Sequence, residues 1–285
     1  MSAERPRDYL QRLPDAIRLS RRALGRARRI RRELLAQYVG KHYGSENLPT
    51  PTDRVPVNLV ELYVSIVSRY LLPHQTRALV VTRHDRLREV AAQFEIALNF
   101  LLQQIGLQRT LATAVMDAIF TLGIVKTGVA WKQDTDLYGR EIHPNQPFAD
   151  PVNFDHWVHD VRASSWNECT FMGDRYRVAL EDIRNRPDFD SAVAARVVSL
   201  YETSTREDEA LPGDGRGSGV NDDYGLFDYA YLYDIYVPRY RKIITVPEEN
   251  TDLNRPLLVR DWSGRPSGPY RLLFFNEVPG SVIPV

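Results

Sequence analysis

Three short stretches of this chain carry residue types that do chemistry elsewhere. Gly123-Ile-Val-Lys126-Thr127-Gly128 has the glycines, lysine and threonine of a phosphate loop. A Walker loop, however, places Lys directly after Gly and before Ser or Thr, with four residues between the glycines. Here Val125 precedes Lys126, and the apolar, β-branched run reads as a strand with its lysine toward solvent. His156-x-x-His159-Asp160 has a spacing that brings two ligands to one metal on a helix. Phe154, Trp157 and Val158 flank the pair and favour extended backbone instead, in which residues three apart face opposite sides. A metal-dependent hydrolase built on His156 and His159 is therefore a distant alternative. Cys169 is the single cysteine. It excludes an internal disulfide and a cysteine-based metal cluster, and it reads as a small, half-buried residue on a strand. Asp214, Asp222 and Asp223 lie among glycines without the ordered Asp-x-Asp-x-Asp-Gly spacing of a calcium loop, and no Gly-x-Ser-x-Gly elbow occurs. The expectation is a non-enzymatic protein with no catalytic residues, no cofactor and no metal.

Charge is balanced in total and segregated locally. Lys plus Arg equals Asp plus Glu at 37 each, with 26% charged and 43% hydrophobic residues in 285. That composition suits a globular protein and excludes one that holds nucleic acid by bulk positive charge. No signal peptide and no membrane-length apolar run is visible. Residues 1–41 nevertheless carry eleven Arg and one Lys against Glu4, Asp8, Asp15 and Glu33. Residues 202–234 carry nine acids against Arg206 and Arg216. The basic region reads as a helix starting at Pro14-Asp15 and ending at Gly40. Ile17, Leu24, Ala27, Ile30, Leu34 and Tyr38 form its apolar side, with Arg31 intruding. Arg18, Arg21, Arg22, Arg26, Arg28, Arg29 and Arg32 cover the opposite side. Those seven arginines are the candidate subunit or DNA contacts. An ion-pairing face, solvated or between subunits, is the leading reading. Direct nucleic-acid contact is the second, and a membrane-surface helix is disfavoured because the apolar side lacks Trp and Phe.

The elements that would position these residues follow in order. A Pro-rich link, Leu48-Pro-Thr-Pro51, precedes a helix over 59–72 that Pro73 stops. Ala78–Thr82 reads as a short strand. A helix from about Asp85 to Ile105 would bury Leu87, Val90, Ala91, Phe94, Leu98, Leu101, Leu102 and Ile105 against a second helix, 107–122, after a break at Gly106. An aspartate at Phe94 should then unfold the protein. Strands are expected at 124–131, 171–178 and 231–238, with an exposed acidic linker near 202–223. Tyr229, Tyr231 and Tyr233 alternate on one strand face, which reads as packing or a subunit interface rather than a base-stacking platform, since Asp228 and Asp234 would repel phosphate. The fold class is α+β: a helical region over 1–122 and a mostly antiparallel β-rich region over 123–285.

The succession of these pieces resembles the amino-terminal, wing-type half of the portal (head-to-tail connector) proteins of tailed bacteriophages. The resemblance runs through the basic helix, Tyr38-Val-Gly40, the helix-opening Asn58, Arg69-Tyr-Leu-Leu-Pro73, and a helix pair ending at Gly123-Ile-Val-Lys126. It continues with Pro151-Val-Asn-Phe-Asp155 and Asp160-Val-Arg-Ala163. In the second-last motif the family's proline is displaced to Pro151. The resemblance implies a virion structural protein at one capsid vertex, found in the host cytoplasm during assembly. It would be a homo-oligomeric ring of about a dozen subunits closed by heterologous contacts. Double-stranded DNA would pass through its channel during genome packaging and ejection. The packaging terminase, capsid proteins and tail adaptor proteins would dock on it, with no membrane involved. The chain stops at Pro279–Val285, before the channel-lining helices that the family places later, which implies a split, truncated or partial subunit. The alternative is a nucleic-acid-binding accessory protein that uses the Arg-rich helix.

Overall fold

The computed structural model describes residues 8–40, 58–72, 76–130, 134–135, 141–143, 145–197, 228–248, 256–275 and 282. The expected Pro-rich link, the acidic linker 202–223 and the aspartates at 214, 222 and 223 lie outside the described residues. The protein is α+β, with helices through its amino-terminal part and antiparallel sheets after them. The 1–122 and 123–285 regions differ by element type. By packing, the chain forms two compact units, one of residues 1–23 with 156–268 and one of 24–155 with 269–285.

The first unit is built on a five-stranded antiparallel sheet, in the order β5-β6-β7-β8-β9. Its strands are β5 (Trp157–His159), β6 (Met172–Ala179), β7 (Tyr229–Val237), β8 (Lys242–Pro247) and β9 (Leu258–Asp261). The strands are long where Val, Ile and Tyr alternate, because branched and aromatic side chains pack well on a pleated surface. Ile235, Val237, Ile244 and Val246 form one face with Leu13 and Ile17 of helix α1 (Asp8–Tyr38). Leu232 and Ala230 pack on the other side with Ile183 of α5 (Leu180–Asn185) and Val193 of α6 (Ser191–Ala194). Asp190 caps α6 by accepting from the backbone N–H of Ala192 at 2.9 Å. Gly173 sits where an added Cβ would strike the Asp234 carbonyl on the paired strand.

The second unit holds the rest of α1, then α2 (Leu59–Leu71), α3 (Arg88–Gln104) and α4 (Leu107–Phe120). Strand β1 (Gly123–Val129) lies between β4 (Pro147–Pro151) and β10 (Tyr270–Leu273), and β2 (Asp134–Thr135) pairs with β3 (Glu141–Ile142). Gly40 closes α1 with φ +80° and donates its N–H to Gln37 at 2.9 Å, a left-handed stop that glycine adopts freely. Asn58 joins the two helix ends. Its side-chain oxygen accepts from the Glu61 N–H at 3.1 Å, and its Nδ2 donates to the Tyr38 carbonyl at 2.7 Å. Gly106 turns α3 into α4 at φ 59°. An added Cβ at Gly123 would collide with the Ala114 carbonyl of α4. A glycine is needed there because helix and strand backbones meet. Ala114, Val125 and Ala149 form the small core at this junction.

Several expectations are corrected. Helix α1 begins at Asp8, and Pro14 lies inside it. Burial of Leu13 and Ile17 on the sheet offsets the hydrogen bond that the proline forfeits. Residues 76–82 form no strand. Their extended backbone is held by α3 side chains instead: Asn99 brackets Ala78 at 2.8 and 2.9 Å, and Glu95 accepts from the Val80 N–H at 3.2 Å. The largest correction concerns α3, which has no buried residue. Val90 is 59% and Phe94 58% exposed, so Phe94 is no core residue. The apolar period correctly marks a helix, but the described residues cover its stripe only in part: Ala91, Leu98, Leu101, Leu102 and Ile105 are half-buried, and Val90 and Phe94 are exposed.

Candidate functional site

The seven candidate arginines of α1 divide by environment. Arg21 is an internal structural partner: its Nη1 donates to Glu248 at 2.7 Å. Arg175 of β6 reaches the same carboxylate at 2.9 Å, and the Tyr233 hydroxyl donates to it at 3.3 Å. Burial, and then the nearby Glu248 charge, push the Tyr233 phenol up to about 12. Burial works most strongly against the Arg175 charge, yet the Glu248 carboxylate together with Tyr233 and Tyr231 outweighs it and raises the guanidinium pKa. Arg28, expected on the polar side, is buried. It follows Leu24 by four residues, so one helical turn returns it to the buried side. Ile30, placed on the apolar stripe, is exposed. Arg32 is half-buried, whereas Arg18, Arg22, Arg26 and Arg29 are exposed. Arg18 lies 3.6 Å from Asp15 in an exposed i,i+3 pair, a contact worth little.

Arg31, the intruder on the apolar stripe, is a buried and paired cation of the second unit. Its side chain is 8% exposed and donates to Asp117 of α4 at 2.7 Å and Asp155 at 3.3 Å. Burial raises the Asp117 pKa, although the Arg31 hydrogen bond and charge pull it down. Sequence reasoning saw Arg31 only as an interruption. An arginine in an apolar stripe is itself the available signal, because a charge there needs a buried partner.

The remaining candidate groups are structural as well. Lys126 stands in the middle of β1, paired to Tyr270 and Asp150 on its two sides, and the next described element after β1 is a strand, β2, rather than a helix whose N-terminus could receive a phosphate. His156 accepts from Arg175 at 3.3 Å and lies tilted against Tyr231, ring centroids 6.0 Å apart. His159 is buried, accepts from the Trp157 indole at 3.0 Å and packs on Trp166. Its backbone N–H donates to Ser20 Oγ at 3.0 Å. The two histidines thus have different neighbours, and among the described residues no group of three His, Cys, Asp or Glu is placed to hold a metal ion. Asp160 braces a turn by accepting from the Arg162 and Thr170 N–H groups and the Thr170 hydroxyl. These bonds outweigh burial and hold its carboxyl below the usual range. Cys169 ends a 3-10 turn, Trp166–Glu168, rather than lying on a strand. Burial, and then the Asp160 charge, push its thiol up to about 12, which removes it as a nucleophile.

The tyrosine strand is a packing surface. Tyr233 is buried, while Arg177 stacks over Tyr229 at 3.6 Å and Arg175 over Tyr231 at 4.2 Å. Asp234 points to the other face. There it accepts from Tyr176 and Thr245 and pairs with Arg260 at 3.2 Å, so it does not guard the tyrosines from phosphate.

What the described residues leave open is apolar. Leu59, Leu62, Tyr63, Ile66 and Tyr70 run along the outside of α2, with Tyr70 86% exposed. Ile96 and Phe100 line a groove of about 990 Å³ with Arg77, Glu95, Asn99 and Arg109. No described helix is long and apolar enough to cross a membrane. No protein-family model matches this chain, and no curated protein is significantly similar to it.

Proposed function

We propose that this chain is a structural subunit, or the wing-type portion of one, of a portal-like ring that conducts double-stranded DNA and docks a separate packaging motor. The observation that carries the reading is the uncovered apolar surface of α2 and α3. Such surface on a folded chain marks a protein interface, and a ring subunit has two of them. The succession of motifs from Tyr38-Val-Gly40 through Asn58 and Gly123-Ile-Val-Lys126 to Asp160 supports the portal form of that ring. Asn58 and Gly123 have structural reasons to stand where they do, at a helix junction and a helix–strand contact. Terminase, capsid and tail adaptor proteins are the proposed partners, the virion the proposed location, and the chain is read as non-enzymatic.

A second reading has its own support. Arg18, Arg22, Arg26 and Arg29 are exposed at helical spacing, as in an accessory protein that grips phosphates through one helix. Reversing Arg22, Arg26 and Arg29 to Glu separates the two. The ring reading expects native mass spectrometry to show weakened assembly, with little change in duplex binding by the monomer. A variant that assembles normally but loses salt-dependent DNA affinity would favour the accessory reading.

A further inference from the structure

Residues 76–82 have the pattern of a β-strand with no neighbouring strand. Thr76, Ala78, Val80 and Thr82 are half-buried, whereas Arg77, Leu79 and Val81 are exposed, the period-two alternation of extended chain lying on a surface. On one edge the Asn99 side chain stands in for a strand. Its Oδ1 accepts from the Ala78 N–H at 2.8 Å, and its Nδ2 donates to the Ala78 carbonyl at 2.9 Å. Glu95 accepts from the Val80 N–H at 3.2 Å. Successive residues of an extended chain turn their N–H and C=O groups to opposite edges. Those of Leu79 and Val81 therefore line the edge opposite Asn99 and Glu95. Among the described residues these four backbone groups have no hydrogen-bond partner. The side chains of the same two residues are 78% and 79% exposed.

We propose that this open edge receives an extended segment of another protein, which adds to it as an antiparallel β-strand with a carboxylate at each end. An exposed helix face does not specify its cover, but a row of unpaired backbone groups does. Another backbone offers donors and acceptors at the matching repeat of about 6.8 Å, and antiparallel pairing is the more stable kind per residue. Natural proteins break such edges with a proline or a charge, and neither occurs between Arg77 and Arg83. The two arginines select the partner. Pairing two copies of this segment in the register that joins all their outward-facing residues sets Arg77 opposite Arg83 at both ends. Like charges directly opposite destabilise a strand pair. A foreign strand with apolar side chains opposite Leu79 and Val81, and a carboxylate opposite each arginine, meets no such conflict. Among the described residues Arg83 has no acidic partner, and Arg77 reaches Glu95 at only 3.9 Å. Because Asn99 already holds Ala78, the receiving strand is extended before its partner arrives, which lowers the ordering cost of binding. This contact is available whether or not the chain assembles into a ring.

A labelled peptide, Glu-Thr-Val-Thr-Val-Thr-Glu blocked at both ends, serves as the probe, titrated with the full chain by fluorescence anisotropy. In antiparallel register its valines lie opposite Leu79 and Val81 and its glutamates opposite Arg77 and Arg83. The expectation is saturable binding that is lost when both valines are N-methylated and kept when the middle threonine is, because the valine N–H groups face the edge and the threonine N–H faces away. Leu79→Pro removes an N–H with no described partner. It should leave the melting temperature unchanged and weaken binding about tenfold. Reversing Arg77 and Arg83 to Glu should transfer the preference to the same peptide carrying lysine at both ends. No saturable binding up to about 1 mM, or equal binding by the valine-methylated peptide, would overturn the proposal. Absent binding together with a lower melting temperature for Leu79→Pro would overturn it in favour of a segment of this chain lying on the edge. A change in sedimentation of the unliganded chain caused by Leu79→Pro would overturn it in favour of a second copy. The methylated peptides are compared on the unaltered chain, so the test stands even if Leu79→Pro fails to fold.

Discussion

Replacing Arg31 with Met isolates the energetics of the buried pair in the second unit, because it removes the charge and keeps an unbranched stem at a buried position. The Arg31 side chain is 8% and Asp117 16% exposed, and they meet at 2.7 Å. Loss of one partner of a buried pair leaves an uncompensated charge and costs about 3–5 kcal/mol. Asp117 keeps some contact with water and Asp155 is 32% exposed, so the lower end, about 3 kcal/mol, applies. With a urea slope of roughly 2–3 kcal/mol per molar, the midpoint should fall by about 1–1.5 M at pH 7. The pH dependence gives a second handle. The Asp117 pKa is raised in the fold, first by burial. Its contribution therefore favours the fold below the unfolded pKa and is lost as pH rises through the folded value. Without Arg31 that folded value rises further, so the penalty should be large at pH 7 and shrink toward pH 4. Asp117→Asn added to Arg31→Met should recover most of the loss, the coupling that a double-mutant cycle measures. Urea unfolding followed by circular dichroism at several pH values supplies the data. A midpoint shift below about 0.3 M, or an equal penalty at pH 4 and pH 7, would refute the buried-pair account.

Phe94→Asp should fold and remain soluble, with a melting temperature close to the parent, because Phe94 is 58% exposed; a molten or insoluble product would show that α3 is covered after all. Leu122→Ala, at a fully buried site, should cost about 2–5 kcal/mol in urea unfolding, and a loss below 1 kcal/mol would contradict the packing described. Gly123→Ala should destabilise the α4–β1 junction enough to lower soluble yield, since its Cβ meets the Ala114 carbonyl; normal expression and melting would count against that contact. Cys169 should resist iodoacetamide at pH 8 until denaturant is added, because its thiol is buried and its pKa is raised to about 12; rapid native labelling would contradict this placement.

Much of the secondary structure is legible in the sequence because its causes are local. The 3.6-residue period marks α2, α3 and α4, Gly106 and Gly40 mark helix ends, a β-branched run marks β1, and alternating tyrosines mark β7. What is not legible depends on distant partners. Nothing near Arg21 announces Glu248, 227 residues away, and nothing near Arg31 announces Asp117. Arg28 is recoverable in principle, since it stands one turn from Leu24. The apolar stripe of α3 shows why pattern and burial differ. Periodicity reports that a face must leave water, and is silent on whether its own chain or another covers it. The composition of residues 76–82 is β-type, yet among the described residues the side chains of Asn99 and Glu95, and no strand partner, bond the backbone of Ala78 and Val80.

Electron microscopy of the encoded polypeptide, with any sequence that continues beyond Val285, tests the central claim most directly. The account predicts closed rings of about a dozen subunits around an open channel, assembled through heterologous contacts. Monomers or two-fold dimers at micromolar concentration, with no ring in any class average, would contradict it.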